Sequence, residues 1–461
     1  MLEEKTIGYL PDESPSYGRL FIFAIQQIIV MFPATVLVAL LTGFHVSTTI
    51  FASGLATLCF IFITKREIPL YYGSSFSYIA AIVSITGAKY GQIAPDALIS
   101  EAQFGIVMSG LVSIIAGLIV KRFSMDAVEK VLPPAVTGSI AIVIGLSLAG
   151  TALNNVHDVT GIVGVTLDNA DAASTYNWII ALVTLISTIL FSVYLKKGTW
   201  GQIPILLGLG LGYVTALIIG LATDIKFVNF ALLGEGRKIV ELPHFTLPKP
   251  SWAALAAIMP IAIATIPEST AHIFQLDIYV NKLAELKKSP KKYPIAEKLG
   301  ANLIGDGMGD IISGMIGGPA GTNYGENIST MSITKNFSVK VLITAAIITM
   351  VISLFTPLSA AVYSIPNAVI GGVSIYLFGV IAAQGIAIMI DKKVDLFSAK
   401  SLAIIATILI VGLGGSFQFE DGLIPLFGFE APAIATAAVF GILLNLLFIA
   451  IDSISAKFKK A

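Results

Sequence analysis

Glu268 and His272 stand four residues apart inside the apolar stretch 251–276. On a helix that spacing puts both side chains on one face with their Cβ atoms about 5–6 Å apart, close enough to share a proton or a ligand. Pro267 immediately precedes the glutamate and is expected to open the helical ladder at the carbonyl of Ile263, while Pro260 lies two turns earlier. A segment interrupted in this way borders a cavity more readily than a lipid-facing surface. Asp306 and Asp310 repeat the spacing of four in the next apolar run, within Gly305-Asp306-Gly307-Met308-Gly309-Asp310. Two ionised carboxylates so close in a low dielectric repel, so one is protonated or paired; coupling and structural roles both stay open for them. Glu326 falls in a glycine-rich stretch, Gly317 to Asn327.

These acids draw attention because of what surrounds them. Hydrophobic residues make up 56% of the 461 positions and charged residues only 12%, with a mean hydropathy of +0.88, where soluble domains carry about 25% charge. Such a chain lives in lipid, and each ionised side chain at the bilayer centre costs roughly 2.5–3.5 kcal/mol, so the acids kept there are functional candidates by default. Lys plus Arg and Asp plus Glu balance at 28 each, which leaves no basic surface for nucleic acid. Cys59 is the single cysteine and has no intrachain disulfide partner. The mixed charges of Glu3, Glu4, Lys5, Asp12 and Glu13 do not resemble a removable signal peptide. A carboxylate-bridged metal site uses Glu-x-x-His supplied twice, with further glutamates. One Glu-x-x-x-His does not supply it, so no metal or cofactor is expected. Neither is an enzyme, since one His and one Cys in separate spans make no nucleophile–base pair.

The elements that position these residues are helices long enough for a bilayer core of about 30 Å. Apolar runs lie near 20–42, 47–64, 101–120, 131–153, 177–195, 201–223, 251–276, 294–317, 339–360, 366–390, 399–416 and 431–451. Two more crossings, 71–87 and 321–335, are polar and rich in Gly and Ser, giving about fourteen. Cations collect in alternate connections: Lys65 and Arg66; Lys121, Arg122 and Lys130; Lys196 and Lys197; Lys282 through Lys292; Lys335 and Lys340; Lys392 and Lys393; then Lys457, Lys459 and Lys460. The positive-inside rule makes these loops and both termini cytoplasmic. The other connections hold few cations. Lys89 is one, and one long excursion carries Lys226, Arg237, Lys238 and Lys249; His45, His157 and His244 also fall on that outer side.

Tyr72-Gly73-Ser74-Ser75-Phe76 recurs in outline as Tyr324-Gly325-Glu326-Asn327-Ile328, and Pro133-Pro134-Ala135-Val136-Thr137-Gly138 as Pro366-Asn367-Ala368-Val369-Ile370-Gly371. Each repeat is displaced by seven crossings, an odd number, so the halves are inverted, as is common in secondary transporters. The glycines and Pro319 before Glu326 oppose a continuous helix. A short extended piece running into a helix is expected in both polar crossings, presenting backbone N–H groups as helix N-termini do. Carboxylates that accept ring N–H bonds and amides that donate to ring carbonyls suit a flat neutral heterocycle such as uracil.

At these residues the chain resembles the nucleobase–ascorbate transporter family, its bacterial uracil permease branch in particular. The family signature stands here as Glu326-Asn327-Ile328-Ser329-Thr330-Met331-Ser332-Ile333-Thr334-Lys335, departing at Ser329, where glycine is usual. Tyr72 to Phe76 and the pair Glu268 and His272 match the branch too, whereas Gln27 stands where uracil permeases tend to carry histidine. The resemblance implies an all-α polytopic fold of seven plus seven inverted segments, with segments 3 and 10 partly extended. It implies a core at 20–125 and 251–360, a gate at 126–224 and 361–452 with a homodimer contact, an outer loop at 225–250, and cytoplasmic ends at 1–19 and 453–461. It implies uracil import by proton symport with elevator-like movement in the plasma membrane, lipid and the nucleobase being the partners. Glu268, Glu326, Phe76, Gly325, Ser75 and Tyr324 would bind substrate. His272 and Glu268 would carry the proton, supported by Gln27 and Asp306. The alternatives are a purine or xanthine substrate, sodium as coupling ion, or an anion exchanger or channel of the same architecture.

Overall fold

A computed structural model describes residues 8–123, 130–160, 162–166, 168–195, 203–230, 238–426 and 428–458. Glu3, Glu4, Lys5, Lys196, Lys197, Arg237, Lys459, Lys460 and the 125/126 boundary lie outside the described residues. The helices run α1 (Tyr17–Thr42), α2 (Val46–Ile63), α3 (Ile79–Thr86), α4 (Asp96–Arg122), α5 (Pro134–Ser147), α6 (Ala149–His157), α7 (Ala170–Tyr194) and α8 (Pro204–Ala222). The second half follows with α9 (Trp252–Ile258), α10 (Ile261–Leu286), α11 (Leu299–Ile316), α12 (Gly325–Thr334), α13 (Val339–Ile352), α14 (Thr356–Tyr363), α15 (Asn367–Asp391), α16 (Ala399–Leu409) and α17 (Ala433–Phe458). Among the described residues, ten helical stretches are long and apolar enough to cross a membrane, counting α5 with α6 and α9 with α10 as single spans and following α16 through a π-helical turn to Gln418. The sequence ranges of the other expected crossings hold the more polar α11, the shorter α13 and the two broken segments, which are not among those ten.

Those broken segments take the expected form. β1 (Tyr72–Ser74) leads through a 3₁₀ turn into α3, and β2 (Gly321–Asn323) leads into α12. The strands pair antiparallel, Tyr72 with Asn323, Gly73 with Thr322 and Ser74 with Gly321. Extended backbone inside a membrane protein must have its polar groups answered, and here the neighbours do so. Ser53 Oγ donates to the Tyr72 carbonyl at 2.7 Å, the Tyr72 amide donates to Thr57 Oγ1 at 3.0 Å, and Ser313 Oγ donates to the Pro319 carbonyl at 2.6 Å. The ribbon continues at its ends, with Tyr324 N–H on the Tyr71 carbonyl at 3.0 Å and Ser75 N–H on the Ala320 carbonyl at 2.9 Å.

The repeat is visible in the caps. Pro133 precedes α5 and Pro366 precedes α15, both in extended conformation. Around the ribbon, α4 lies along α11, where a Cβ added to Gly110 would come within 2.4 Å of the Gly307 carbonyl, so the two backbones are in direct contact. α5 packs on α15 and α7 on α8, forming a second group.

Two findings depart from the sequence reading. Pro267 does not open its helix: α10 is continuous from Ile261 to Leu286, and the interruption sits at Met259 and Pro260, between α9 and α10. A proline lacks one amide, and a single unanswered carbonyl is not enough to break a helix held by neighbours on both sides. The second is a hairpin, β3 (Leu423–Leu426) with β4 (Phe429–Pro432), in what the sequence presents as a plain connection.

Loops expected on one side do meet one another. Lys287 pairs with Glu13 at 2.5 Å, Lys291 with Asp12 at 2.7 Å and Lys298 with Glu67 at 2.9 Å, while Tyr9 bridges to Asn336. On the opposite side Val163 bridges to Lys226 and Val240 to Phe355.

Candidate functional site

The ribbon and the starts of α3 and α12 form the centre around which Glu268, Asp306, Asp310 and Glu326 are arranged. α10 passes alongside and brings Glu268 within hydrogen-bond reach of Ser77, whose hydroxyl donates to Glu268 Oε2 at 3.4 Å. Glu268 and Glu326 lie close enough to interact electrostatically. His272 packs against the start of α12: a Cβ on Gly325 would sit 3.0 Å from His272 Nε2, so the glycine gives the imidazole its place against the backbone. The other ring nitrogen, Nδ1, is buried without a hydrogen-bond partner. Glu326 stands in the first turn of α12, with its carboxylate beside its own amide. The first amides of a helix have no intrahelical acceptor, so those of Gly325, Glu326 and Asn327 at the head of α12 are left without intrahelical bonds.

Burial divides the residues singled out in the sequence into two sets. Phe76, Glu268, His272, Gly325 and Glu326 are only half-buried, although they sit deep among helices. Gln27, Ser75, Tyr324, Asp306 and Asp310 are fully buried. The first set borders open space and the second supports it. Tyr324 shares a hydrogen bond with Thr35 Oγ1 at 3.0 Å and donates to the Ser74 carbonyl at 3.0 Å, so its hydroxyl ties α1 to the ribbon. Gln27 accepts from Asn327 Nδ2 through Oε1 at 2.8 Å and through its carbonyl at 3.0 Å, which fixes α12 against α1. Ser75 accepts from the Ser77 amide at 3.3 Å and starts the turn that carries Phe76.

The two aspartates fasten β2 to α11. Asp310 Oδ1 accepts from the Tyr72 hydroxyl at 2.5 Å and from the Gly321 amide at 2.8 Å. One turn earlier, Asp306 accepts from Ser269 at 2.5 Å, Asn302 at 3.3 Å and Asn323 at 2.7 Å. Several donors converging on each carboxylate offset the cost of placing it away from water. Asp306 thereby links Ser269, the neighbour of Glu268, to the strand that leads to Glu326.

Sequence reasoning passes over Ser77, Ser269, Asn302 and Asn323, the neutral side chains that connect the acids. It also passes over Phe378 on α15, which meets Phe76 edge to face with ring centroids 5.7 Å apart at 77°. Ser77 also lines a cavity of about 260 Å³ that extends past Ile79, Leu148 and Thr151 to Tyr90 and Ile434, between α3 and the helices of the second group.

A sequence model described as a permease family matches residues 18–421. The chain belongs to that family. It is the nucleobase–ascorbate transporter family indicated by the signature at Glu326, so the permease is a multi-pass membrane transporter and not an enzyme. A protein named uracil permease from Bacillus caldolyticus is 37% identical over 443 residues, covering 94% of this permease and 93% of the relative. Proteins of the same name from Bacillus subtilis strain 168 and Escherichia coli K12 are 34% and 32% identical, covering 92% and 95% of this permease and 91% and 92% of their own lengths. Among solved structures, SLC26A9 superposes with a TM-score of 0.64 at 10% identity, covering 94% of the permease, which spans 65% of that longer chain. The transmembrane domain of the cyanobacterial bicarbonate transporter BicA gives 0.53 at 16% identity, covering 93% of the permease and 97% of that domain. At such identities the likeness concerns the fold.

Proposed function

We propose that this permease imports uracil by proton symport. The observation that carries the reading is the half-buried cluster of Glu268, His272, Gly325, Glu326 and Phe76 gathered where two broken crossings pair. Uracil offers two ring N–H donors and two carbonyl acceptors in one plane. Glu268 and Glu326 accept from the ring nitrogens, the amides at the head of α12 donate to a carbonyl, and Phe76 closes one face of the ring. Relatives named uracil permease, spanning nearly the full length, favour the same substrate. His272 beside Gly325, together with Glu268, provides groups that change protonation as the site moves, while Gln27 cannot titrate and serves as a strut.

In this reading fourteen crossings divide into a core, α1–α4 with α9–α13, and a gate, α5–α8 with α15–α17, in the plasma membrane with both termini cytoplasmic. Phe76 against Phe378 is one contact between the two bodies at the site. The core moves past the gate, which also carries a homodimer contact.

Radiolabelled uracil uptake into proteoliposomes under an imposed pH gradient, with sodium or choline, tests the proposal. Uptake driven by the proton gradient in choline supports it; uptake that requires sodium replaces the proton, and competition by xanthine but not uracil replaces the substrate. Glu326→Ala removes a charge-assisted acceptor worth about 1.5–3 kcal/mol. Uracil affinity is expected to fall about 10- to 100-fold while the protein stays folded, and retained affinity would take Glu326 out of the site.

A further inference from the structure

In the loops expected on the outer side, two imidazoles converge on one carboxylate. His45 stands at the head of α2, Asp96 in the first turn of α4, and His244 in the segment that joins α8 to α9. His244 Nε2 lies 2.8 Å from Asp96 Oδ2, and His45 Nε2 lies 3.6 Å from Asp96 Oδ1. The ring centroids of the two histidines are 4.5 Å apart, and the three ligating atoms all lie within 4.8 Å of one another.

We propose that His45, Asp96 and His244 bind a divalent transition-metal ion, Zn²⁺ in particular. Zinc takes imidazole nitrogen and carboxylate oxygen at about 2.0–2.2 Å, which sets neighbouring ligand atoms about 3.3 Å apart in a tetrahedron. The two histidine-to-aspartate separations bracket that value. A simple His–Asp contact requires one imidazole, and His244 already supplies it. The second, His45, points Nε2 at the same carboxylate, where that nitrogen is buried and has no hydrogen-bond partner. A cation between the three answers it. Asp96 and His244 are 55% and 51% exposed, which leaves the fourth position to water. Imidazole ligands also favour zinc over magnesium and calcium, which take oxygen.

The backbone around the cluster is held in place. Thr48 Oγ1 donates to the His244 carbonyl at 2.6 Å, Thr246 and Gln103 exchange hydrogen bonds at 2.6 and 2.9 Å, and Phe245 meets Phe51 with centroids 5.3 Å apart. The segment that carries His244 is therefore fixed to α2 and α4, the helices that carry the other two ligands, and little reordering accompanies binding. The ion would staple the outer segment to these two helices and raise stability without entering the substrate path.

The test uses the full-length permease purified without a polyhistidine tag, stripped with a chelator and titrated with Zn²⁺ by calorimetry, with Co²⁺ absorption as a geometric readout. One Zn²⁺ per chain, a higher unfolding temperature on addition and a tetrahedral Co²⁺ band are expected. His244→Gln, at an exposed position that the fold tolerates, should abolish all three, and Asp96→Asn should weaken binding at least tenfold. His157→Gln, on the same side but outside the cluster, should change nothing. No Zn²⁺ binding by the parent protein, or undiminished binding by His244→Gln, overturns the proposal.

Discussion

The ring of Tyr324 packs against Gly73 on the opposite strand, so close that a Cβ there would fall 2.4 Å from its carbons. The mirror contact is also present, with Tyr72 against Gly321 at the same separation. Each broken crossing thus covers the glycine of the other with its own tyrosine, and the two hydroxyls reach outward, Tyr324 to Thr35 and Tyr72 to Asp310. The ribbon is locked from both sides by aromatic rings that only glycine admits.

Gly73→Ala should therefore be costly. The nearest atoms belong to a ring whose hydroxyl is already bonded at both Thr35 and the Ser74 carbonyl, so it has little freedom to withdraw. Overpacking of this kind typically destabilises by about 1–3 kcal/mol, and the displaced strand would carry Phe76 and Gly325 out of register. Thermal unfolding and uracil binding by the purified variant are expected to fall together, and adding Tyr324→Ala should recover part of the stability. An alanine variant with unaltered unfolding temperature would show the ribbon to be pliable.

Gln27 gives a second expectation, about coupling. Its side chain and carbonyl both accept from Asn327, next to Glu326. Gln27→Ala leaves Asn327 one bond short, which costs about 1–3 kcal/mol for a buried polar group, and should lower affinity modestly. Gln27→His is the more informative change, because a histidine nitrogen can accept the same bond while adding a group that titrates between about pH 5 and 8. Uracil binding should stay within a few fold of the parent at pH 8, while the pH profile of uptake should steepen below pH 7. Identical profiles for the two proteins would show that this position takes no part in coupling.

Glu268, His272 and Glu326 are legible in the sequence because ionisable groups are rare in apolar runs and each stands out against its surroundings. The ribbon is legible for a related reason: glycines and Pro319 deny the helix, and Tyr72-Gly73 in one polar crossing is answered by Tyr324-Gly325 in the other. Ser77, Ser269, Asn302 and Asn323 do not stand out, since neutral polar residues are common at helix contacts in membranes. Their importance lies in reaching acids distant in sequence, as Asn323 reaches Asp306. The resemblance offers Tyr324 as a substrate-binding residue; what the sequence does not show is that its buried hydroxyl also ties α1 to the ribbon. Pro267 reads as a break because local chemistry says so, and only the packing of α10 decides that Met259 and Pro260 take that role instead.

α8 offers a test that separates the two bodies of the proposed mechanism. Its buried residues are Gly208, Gly212 and Ala216, one every fourth position, and they form the face against α7. A Cβ on Gly212 would lie 1.9 Å from Thr184 Oγ1, so the helices meet through a stripe of small residues, the arrangement by which membrane helices approach closely. Gly212→Leu should force α7 and α8 apart and destabilise the protein by about 1–3 kcal/mol. Neither helix supplies a side chain to the cluster around Glu268 and Glu326, so uracil affinity in detergent should stay within a few fold of the parent while uptake in proteoliposomes falls. Gly73→Ala loses binding and stability together, whereas Gly212→Leu should lose stability and uptake but keep binding. A tenfold loss of affinity in Gly212→Leu would mean that the site depends on α7 and α8, and the division into a substrate-holding core and a separate gate would have to be redrawn.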